Sequence, residues 1–279
     1  MEERYTKIRK LGEGATAKVY LVEEIATRKV YAMKVSEKEG LLQHEAQILS
    51  KLKDGGFPKV KEYEGNCLVM EYIEGKNMQE ILEENRRFSM KEILYLMEEI
   101  LRLLNVLHKQ EPPMVYRDMK PANIMIGRNG KVYLIDFGTV YSKVLGPIDG
   151  EGLDSKAGTY GYAAPEQFWN GVVPDIRCDI YAAGKLLAYL LSGKNPALPP
   201  YDMESYCRGL RKVSPEFQII IERSLAKNPL ARYETGEGMR RDLRLAYEAC
   251  SKKRLFKLHK KVSHEYIKCI WLSEYRRIF

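Results

Sequence analysis

The stretch that decides the fold runs from Val115 to Gly138 and reads V-Y-R-D-M-K-P-A-N-I-M-I-G-R-N-G-K-V-Y-L-I-D-F-G. Two short apolar runs flank the dipeptide Asn129-Gly130, the strongest local signal for a hairpin with a two-residue loop of type I′. With that loop Asn123 lies directly opposite Asp136, and both side chains point to the same face of the hairpin.

The loop before this hairpin brings Asp118 and Lys120 to the same end. Two acids, an amide and an amine would therefore converge there, which suits a site for magnesium and phosphate. The same residue types also cap turns in many proteins. Motifs elsewhere in the sequence are needed to distinguish these two interpretations.

Composition predicts a globular protein with one large core or two lobes. The chain has 279 residues, of which 45% are hydrophobic and 30% charged. It contains no apolar run of about 18 residues and no N-terminal signal pattern. The five cysteines include no C-x-x-C pair, which argues against a zinc cluster and a disulfide framework. We therefore expect a cytoplasmic protein with reduced, buried cysteines.

The net charge of +8 is concentrated at the C-terminus. Residues 240–279 contain twelve Lys or Arg and four Asp or Glu, so the preceding residues carry 34 charges of each sign. This distribution predicts at most an interaction of the tail, and we expect no nucleic-acid partner. Residues 251–279 form a basic extension with an apolar stripe at helical spacing. It either packs on the larger lobe, binds a protein partner or lies on an anionic membrane surface.

The hydrophobic pattern of residues 1–73 predicts a β-rich lobe with one helix. Weak alternation from Tyr5 to Leu11 precedes two further strands and a later hairpin. Gly12 and Gly14 lie in the first turn, where the lack of side chains lets backbone N–H groups approach a phosphate. The turn leads into a strand from Val19 to Glu24, and this excludes a dinucleotide-binding unit, which would open a helix there.

The alternating strand V-Y-A-M-K-V places Ala32 and Lys34 on one face. A lysine within an apolar strand should meet an anion or a carboxylate, because an unpaired buried charge is costly, or else reach water at the strand end. The next segment has helical periodicity, and Glu45 on it is the best candidate partner. Spacing alone also allows Glu37 and Glu39.

The hydrophobic pattern of residues 74–250 predicts a mainly helical lobe. Ser89 is placed to cap a helix that ends near Lys109. Further helices are predicted over 175–192, 214–226 and 237–250, with prolines in the loops between them.

Seven segments, in one order along the chain, resemble the protein kinase family. They are G-E-G-A-T-A-K-V (12–19), A-M-K (32–34), Y-R-D-M-K-P-A-N (116–123), D-F-G (136–138), G-T-Y-G-Y-A-A-P-E (158–166), D-I-Y-A-A-G (179–184) and N-P-L-A-R-Y (228–233). The form K-P-A-N is most similar to the bacterial serine/threonine kinases of the eukaryotic type. The resemblance implies an α+β, two-lobed kinase fold with a small antiparallel β lobe carrying one helix and a larger helical lobe.

The resemblance implies ATP and Mg²⁺ as cofactors, with Mn²⁺ as an alternative metal. Lys34 would hold the α and β phosphates and pair with Glu45. Asp136 and Asn123 would bind the metal ions. The chain departs from the usual family pattern in the short separation of Lys34 and Glu45, so the helix carrying Glu45 must begin almost at once.

The resemblance also assigns the groups that act on the acceptor. Asp118 would orient the substrate hydroxyl and accept its proton, while Lys120 would contact the γ-phosphate. Thr159 would pack near both and favour serine or threonine acceptors. Glu166 would pair with Arg232 as a structural contact.

A nucleotide pocket follows from the same resemblance. Adenine would lie between small apolar side chains of the first lobe and Met125, with Met70 at the back and hydrogen bonds to the backbone around Glu71 to Ile73. The implied pocket residues are Leu11, Gly12, Gly14, Ala15, Val19, Ala32, Lys34, Met70, Glu71, Ile73 and Met125. Two further departures are Ala17, where the loop usually has its third glycine, and Tyr116, where histidine is commonest.

Regulation and support are implied as well. Arg117 precedes Asp118, as in kinases whose loop is ordered by phosphorylation. We expect autophosphorylation at Ser155, and after it Thr159, unless the loop is held by its own packing; peptide mapping of active protein tests this. Asp179 would hold the backbone of the catalytic loop, or would simply favour a helix N-terminus.

The sequence therefore predicts a serine/threonine kinase that transfers the γ-phosphoryl group of ATP to protein substrates. One alternative is a catalytically inactive kinase-fold scaffold. The other is a small-molecule phosphotransferase, which the complete segment 158–166 opposes.

Overall fold

A computed structural model describes residues 1, 3–14, 16–38, 40–84, 86–143, 157–197 and 213–251. The fold is α+β. The strands are β1 Tyr5–Glu13, β2 Ala17–Glu24, β3 Val30–Ser36, β4 Val60–Glu64, β5 Cys67–Glu71, β6 Gly75–Asn77, β7 Met114–Val115, β8 Ile124–Gly127, β9 Val132–Leu134 and β10 Tyr141–Ser142. The helices are α1 Leu41–Lys51, α2 Met78–Glu83, α3 Met90–His108, α4 Arg177–Ser192, α5 Pro215–Ser224 and α6 Gly236–Ser251.

The first five strands form one antiparallel sheet in the order β1-β2-β3-β5-β4. The strand β3 separates two apolar clusters, as its alternation predicts. Ala32 belongs to the main core, whereas Met33 packs with Tyr5, Val22 and Val69 on the opposite face. This alternation directs Lys34 to the same side as Ala32.

Helix α1 begins at Leu41, only a short connection after β3 ends at Ser36. Gly40 makes the abrupt start feasible, since it adopts a φ of 78° that side chains disfavour. The helix buries Leu42, Ala46, Ile48 and Leu49 along one face, and Glu45 lies within that buried stripe.

The predicted hairpin exists, but the predicted register was wrong by one residue. The structure pairs Ile124 with Leu134 and Ile126 with Val132. A type I′ loop needs positive φ at both central residues, and only Gly130 has it. The N–H of Gly127 donates to the carbonyl of Lys131 at 2.9 Å, so the loop between this pair has three residues. Asn129 accepts the N–H of Lys131 through Oδ1 at 3.0 Å.

The corrected register changes which residues face each other. The N–H of Ile135 donates to the carbonyl of Asn123 at 3.0 Å. Asn123 therefore lies opposite Ile135 and not opposite Asp136.

Helix α3 is the long central helix of the second lobe, and it packs against α4, α6 and β9. Ser89 is its N-cap in a reciprocal capping box with Glu92. Strand β6 and helix α2 are not predicted from the sequence. Gly75 at the start of β6 has no room for a side chain, because a Cβ would lie 2.2 Å from the carbonyl oxygen of Ile126.

Two sequence expectations concern the whole chain. Among the described cysteines only Cys178 is buried, while Cys67 and Cys250 are partly exposed, so the expectation of general burial is wrong; Cys207 and Cys269 lie outside the described residues. Within the same described ranges, no helix has both the length and the apolar character to cross a membrane.

The cap of α3 gives a stability prediction. Replacing Ser89 by alanine removes the hydroxyl that accepts the N–H of Glu92 at 3.3 Å. We expect the free energy of unfolding to fall by about 1 kcal/mol, measured by urea denaturation. Lys91→Ala, at an exposed position of the same helix, should change it by less than about 0.5 kcal/mol. Equal losses in the two variants would contradict the capping role.

Candidate active site

Lys34 is held between two carboxylates. Its Nζ lies 2.7 Å from Oε2 of Glu45 and 2.8 Å from Oδ1 of Asp136. The Lys34 and Glu45 side chains are only 13% and 2% exposed. Glu37 is exposed and its described contact is Lys18, and Glu39 lies outside the described residues. Of the two described carboxylates left open by spacing, Glu45 is therefore the one in contact.

The members of this network shift each other's pKa values in different directions. Burial, together with the nearby carboxylate of Asp136, raises the pKa of Glu45 despite the ammonium of Lys34. Burial by itself would lower the pKa of Lys34, but the carboxylates of Glu45 and Asp136 outweigh burial and raise it. Desolvation would raise the pKa of Asp136, but the ammonium of Lys34 outweighs it and lowers that pKa. Lys34 is therefore cationic and Asp136 anionic at neutral pH.

A second cluster joins Asp118, Lys120 and Thr159. Thr159 Oγ1 donates to Oδ1 of Asp118 at 2.6 Å and accepts from Nζ of Lys120 at 2.7 Å. Lys120 Nζ also lies 2.8 Å from Oδ2 of Asp118. The Asp118 carboxylate thus already accepts an O–H group beside an ammonium.

Asn123 is bound to this second cluster. Its Nδ2 donates to the backbone carbonyl of Asp118 at 2.8 Å and to the carboxylate Oδ2 at 3.0 Å. A 3-10 helix, Pro121–Asn123, positions the side chain just before β8. Both amide protons serve Asp118, and this leaves the amide oxygen as the acceptor of the group.

Asp179 fixes the backbone just before Asp118 through hydrogen bonds. This fully buried carboxylate accepts the N–H of Tyr116 at 2.9 Å and of Arg117 at 2.8 Å. His108 Nε2 donates to it at 2.8 Å. The three donors compensate for the burial of the charge.

Arg117 is buried and adopts a φ of 71°. Left-handed backbone costs a residue with a side chain roughly 1–2 kcal/mol, so it persists only where neighbours enforce it. Burial lowers the pKa of the Arg117 guanidinium. Arg117 suggested a loop ordered by phosphorylation, with Ser155 as the expected site. Ser155 lies outside the described residues.

Three aromatic rings connect the two charged clusters. The Phe137 ring contacts Phe57 edge to face at a centroid distance of 5.6 Å and Tyr116 at 5.5 Å. The Tyr116 hydroxyl donates to the carbonyl of Ile135, the residue before Asp136. Tyrosine at this position thus has its own hydrogen-bonding partner.

Sequence reasoning missed His44. Its Nε2 donates to the carbonyl of Val140 at 2.7 Å and joins α1 to the segment after the D-F-G motif. The N–H of Phe137 also donates to Oε1 of Glu45 at 3.2 Å. No local pattern could identify these contacts, because the partners are about ninety residues apart.

The expected contact between Glu166 and Arg232 is present in a buried position. Arg232 Nη2 donates to Oε2 of Glu166 at 2.9 Å and Nη1 donates to Oε1 at 2.5 Å. The guanidinium also lies 4.8 Å from the centroid of the Tyr181 ring. This fork joins the end of the A-P-E segment to the loop before α6.

The expected nucleotide-pocket residues lie on several strands. Leu11, Val19, Ala32 and Met70 belong to one apolar cluster, and Ala32 is paired with Met70 across β3 and β5. Glu71 ends β5 and Ile73 is buried just after it, whereas Met125 lies in a different sheet, on β8. Ala15 lies outside the described residues.

The expectation that Gly12 lies in the first turn is wrong, since it lies in β1 paired with Val19, whereas Gly14 lies in the turn that follows. Among the described residues nothing requires either position to be glycine. A Cβ at Gly12 would meet nothing within 4 Å, and one at Gly14 would meet only the Ala17 carbonyl at 3.8 Å. Neither glycine has a positive φ. The space above this turn is therefore available to a ligand.

Comparisons with known proteins agree with this geometry. The family model described as "Protein kinase domain" matches residues 5–267. The serine/threonine-protein kinase PrkC of Bacillus subtilis is 32% identical over 269 residues, covering 88% of this chain and 41% of that protein. PknB of Mycolicibacterium smegmatis is 26% identical, covering 89% of this chain and 44% of PknB.

A third relative is PknL of Mycobacterium tuberculosis, with 29% identity over 87% of this chain and 65% of PknL. The chain thus spans less than half the length of PrkC and PknB. The family as a whole uses ATP and a divalent metal. By the match over most of its length, the chain belongs to the protein kinase family.

Proposed function

We propose that this chain is an ATP-dependent serine/threonine protein kinase that phosphorylates protein substrates. The observation that carries the proposal is the contact of Thr159 with Asp118 and Lys120. It supports a role for Asp118 in accepting a hydroxyl proton beside a cation. The names of the bacterial relatives support the same acceptor class.

We propose that the nucleotide binds over the end of β1 and the turn that follows it, at Gly12 and Gly14. The open space at both glycines supports this, because a phosphate chain can lie close to backbone that carries no side chain. The N–H of Gly14 itself donates to the carbonyl of Ala17 at 2.9 Å. Lys34 would bind phosphate oxygens, and its contact with Glu45 and Asp136 supports this by fixing the ammonium in place. ATP supplies the phosphoryl group that is transferred.

The proposed metal ligands are Asp136 and the amide oxygen of Asn123. A carboxylate and an amide oxygen suit a hard divalent cation, and Mg²⁺ commonly takes few protein ligands because phosphates and waters complete its shell. We propose Mg²⁺, with Mn²⁺ able to replace it.

The proposed roles at the acceptor follow from the second cluster. Asp118 would orient the substrate hydroxyl and take its proton, and Lys120 would balance negative charge beside it. Thr159 would hold both groups in position. Such a site acts mainly through positioning and electrostatic stabilisation.

We further propose that the two lobes comprise residues 1–73 and 74–250. Residues 252–279 of the basic extension lie outside the described residues, so its membrane or protein partner stays a prediction. Ser155 lies outside them as well. Autophosphorylation of the loop and a cytoplasmic location also stay predictions. The scaffold alternative has no support in the site, because Lys34, Asp118, Asn123 and Asp136 all carry side chains able to act.

The first test measures transfer from labelled ATP to a generic serine- and threonine-containing protein. We expect Asp118→Asn and Asp136→Asn each to lower the rate by at least about 10²-fold, because each removes a preorganised charge. Asp242→Asn, on α6, is the control and should retain the wild-type rate. A wild-type protein without transfer, or full activity in both variants, would contradict the proposal.

The second test concerns the metal. Chelation should stop transfer, and Mg²⁺ or Mn²⁺ should restore it. Asn123→Ala should need a higher metal concentration for half-maximal rate, by about tenfold, since it loses an oxygen ligand. An unchanged metal requirement in this variant would remove Asn123 from the proposed metal site.

The third test uses the buried pair of Lys34 and Glu45 in a double-mutant cycle. Lys34→Met leaves the Glu45 carboxyl buried without its cation, and we expect a loss of about 3 kcal/mol in the free energy of unfolding. Glu45→Gln in the same background should recover at least about 1 kcal/mol relative to additive losses. Additive losses in urea denaturation would show that the pair is not coupled.

A further inference from the structure

Gln167 is a buried side chain that sequence reasoning did not identify and that no proposed role above uses. It follows Glu166 in the A-P-E-Q segment and is 8% exposed. Its Nε2 donates to the carbonyl of Arg117 at 2.8 Å and to the carbonyl of Ala157 at 2.8 Å. Its Oε1 accepts the N–H of Ala164 at 2.9 Å.

These partners define the orientation of the amide. Two carbonyl oxygens require the NH₂ side, and the backbone N–H requires the oxygen. All three polar positions of the side chain are therefore used. A buried amide satisfied in this way is a rigid connector between three backbone segments.

One of the two carbonyls precedes Asp118 in the sequence, and the other lies just before Thr159, the residue that contacts Asp118. The Arg117 carbonyl belongs to the peptide group that continues into Asp118, and the Ala157 carbonyl lies just before Gly158 and Thr159. Fixing both carbonyls with one amide fixes the distance between the loop that carries Asp118 and the segment that carries Thr159.

The backbone at this junction needs such support. Arg117 has a φ of 71°, and Asp179 holds only its N–H side. Gln167 holds the carbonyl side of the same residue. The left-handed conformation of Arg117 is thus fixed at both ends, which sets the direction in which Asp118 leaves the loop.

Gly158 shows how tightly the junction is packed. A Cβ there would lie 2.9 Å from Nε2 of Gln167 and 3.1 Å from the carbonyl oxygen of Arg117. Its φ of 125° is also one that side chains rarely adopt. The segment before Thr159 therefore passes directly over the hydrogen bond between Gln167 and Arg117.

We propose that Gln167 is a positioning residue for phosphoryl transfer, which holds the Asp118 loop and the Thr159 segment in register without touching the substrate. The inference rests on the proposed kinase function. It predicts that loss of the two donors lowers the rate of transfer to the acceptor more than it weakens ATP binding, because Gly12 and Lys34, which are proposed to contact the nucleotide, lie on β1 and β3.

The test compares Gln167→Glu and Gln167→Met with wild type. The carboxylate keeps an acceptor for Ala164 but turns an oxygen toward two carbonyls, whereas methionine keeps the length and removes both donors. We expect kcat for a serine- or threonine-containing peptide to fall by about 10²-fold in the first variant and about tenfold in the second. The KM for ATP should change by less than about twofold.

The stoichiometry of nucleotide binding counts the folded molecules in each preparation, so a fall in kcat can be separated from unfolding. Gln218→Glu is the matched control, because Nε2 of Gln218 also donates to a backbone carbonyl, that of Val213 at 2.6 Å, but on α5. It should keep the wild-type kcat.

Three outcomes overturn the inference. They are wild-type kcat in both Gln167 variants, a loss of kcat that only matches a loss of nucleotide-binding sites, and an equal loss of kcat in Gln218→Glu. A wild-type protein that binds ATP but transfers nothing to peptide would instead contradict the proposed function itself, and the inference with it.

Discussion

The buried carboxylate of Asp179 is the constraint on which the rest of the site depends. A charged group with no exposure to water is stable only if its oxygens are satisfied, and here the satisfying donors are two successive backbone N–H groups and an imidazole. The carboxylate therefore dictates where the chain before Asp118 must lie. Helix α4 carries Asp179 in the core of the second lobe, so the loop before Asp118 is anchored to that core.

The two charged clusters of the site are built differently. The cluster around Lys34 joins a strand, a helix and the D-F-G segment, which are far apart in sequence, and its balance of charges depends on all three. The cluster around Asp118 is mostly local, with Asn123 and Lys120 a few residues away and only Thr159 distant. The Phe57, Phe137 and Tyr116 rings connect them through packed contacts. A shift of α1 would therefore disturb the cluster around Lys34 more directly than the cluster around Asp118.

The limits of sequence reasoning are clearest at the hairpin. The dipeptide Asn129-Gly130 correctly predicted a turn between two strands, but not its type, because Gly127 and Lys131 pair through the backbone and enclose three residues. The additional loop residue moves the partner of Asn123 from Asp136 to Ile135. The sequence identified Lys34 because a lysine stands out in an alternating apolar strand. Spacing left its partner open, and the tertiary structure shows the contact with Glu45.

The sequence by itself determined the strands of the first sheet, the main helices, the family motifs and the residue types able to bind phosphate, metal and a hydroxyl group, because periodicity and turn chemistry are local properties. Only the tertiary structure decided the roles of His44, Gln167 and His108. Each of these residues acts through hydrogen bonds to groups dozens of residues away. Such bonds leave no periodic signal, since their strength depends on burial and geometry that arise when the lobes are packed.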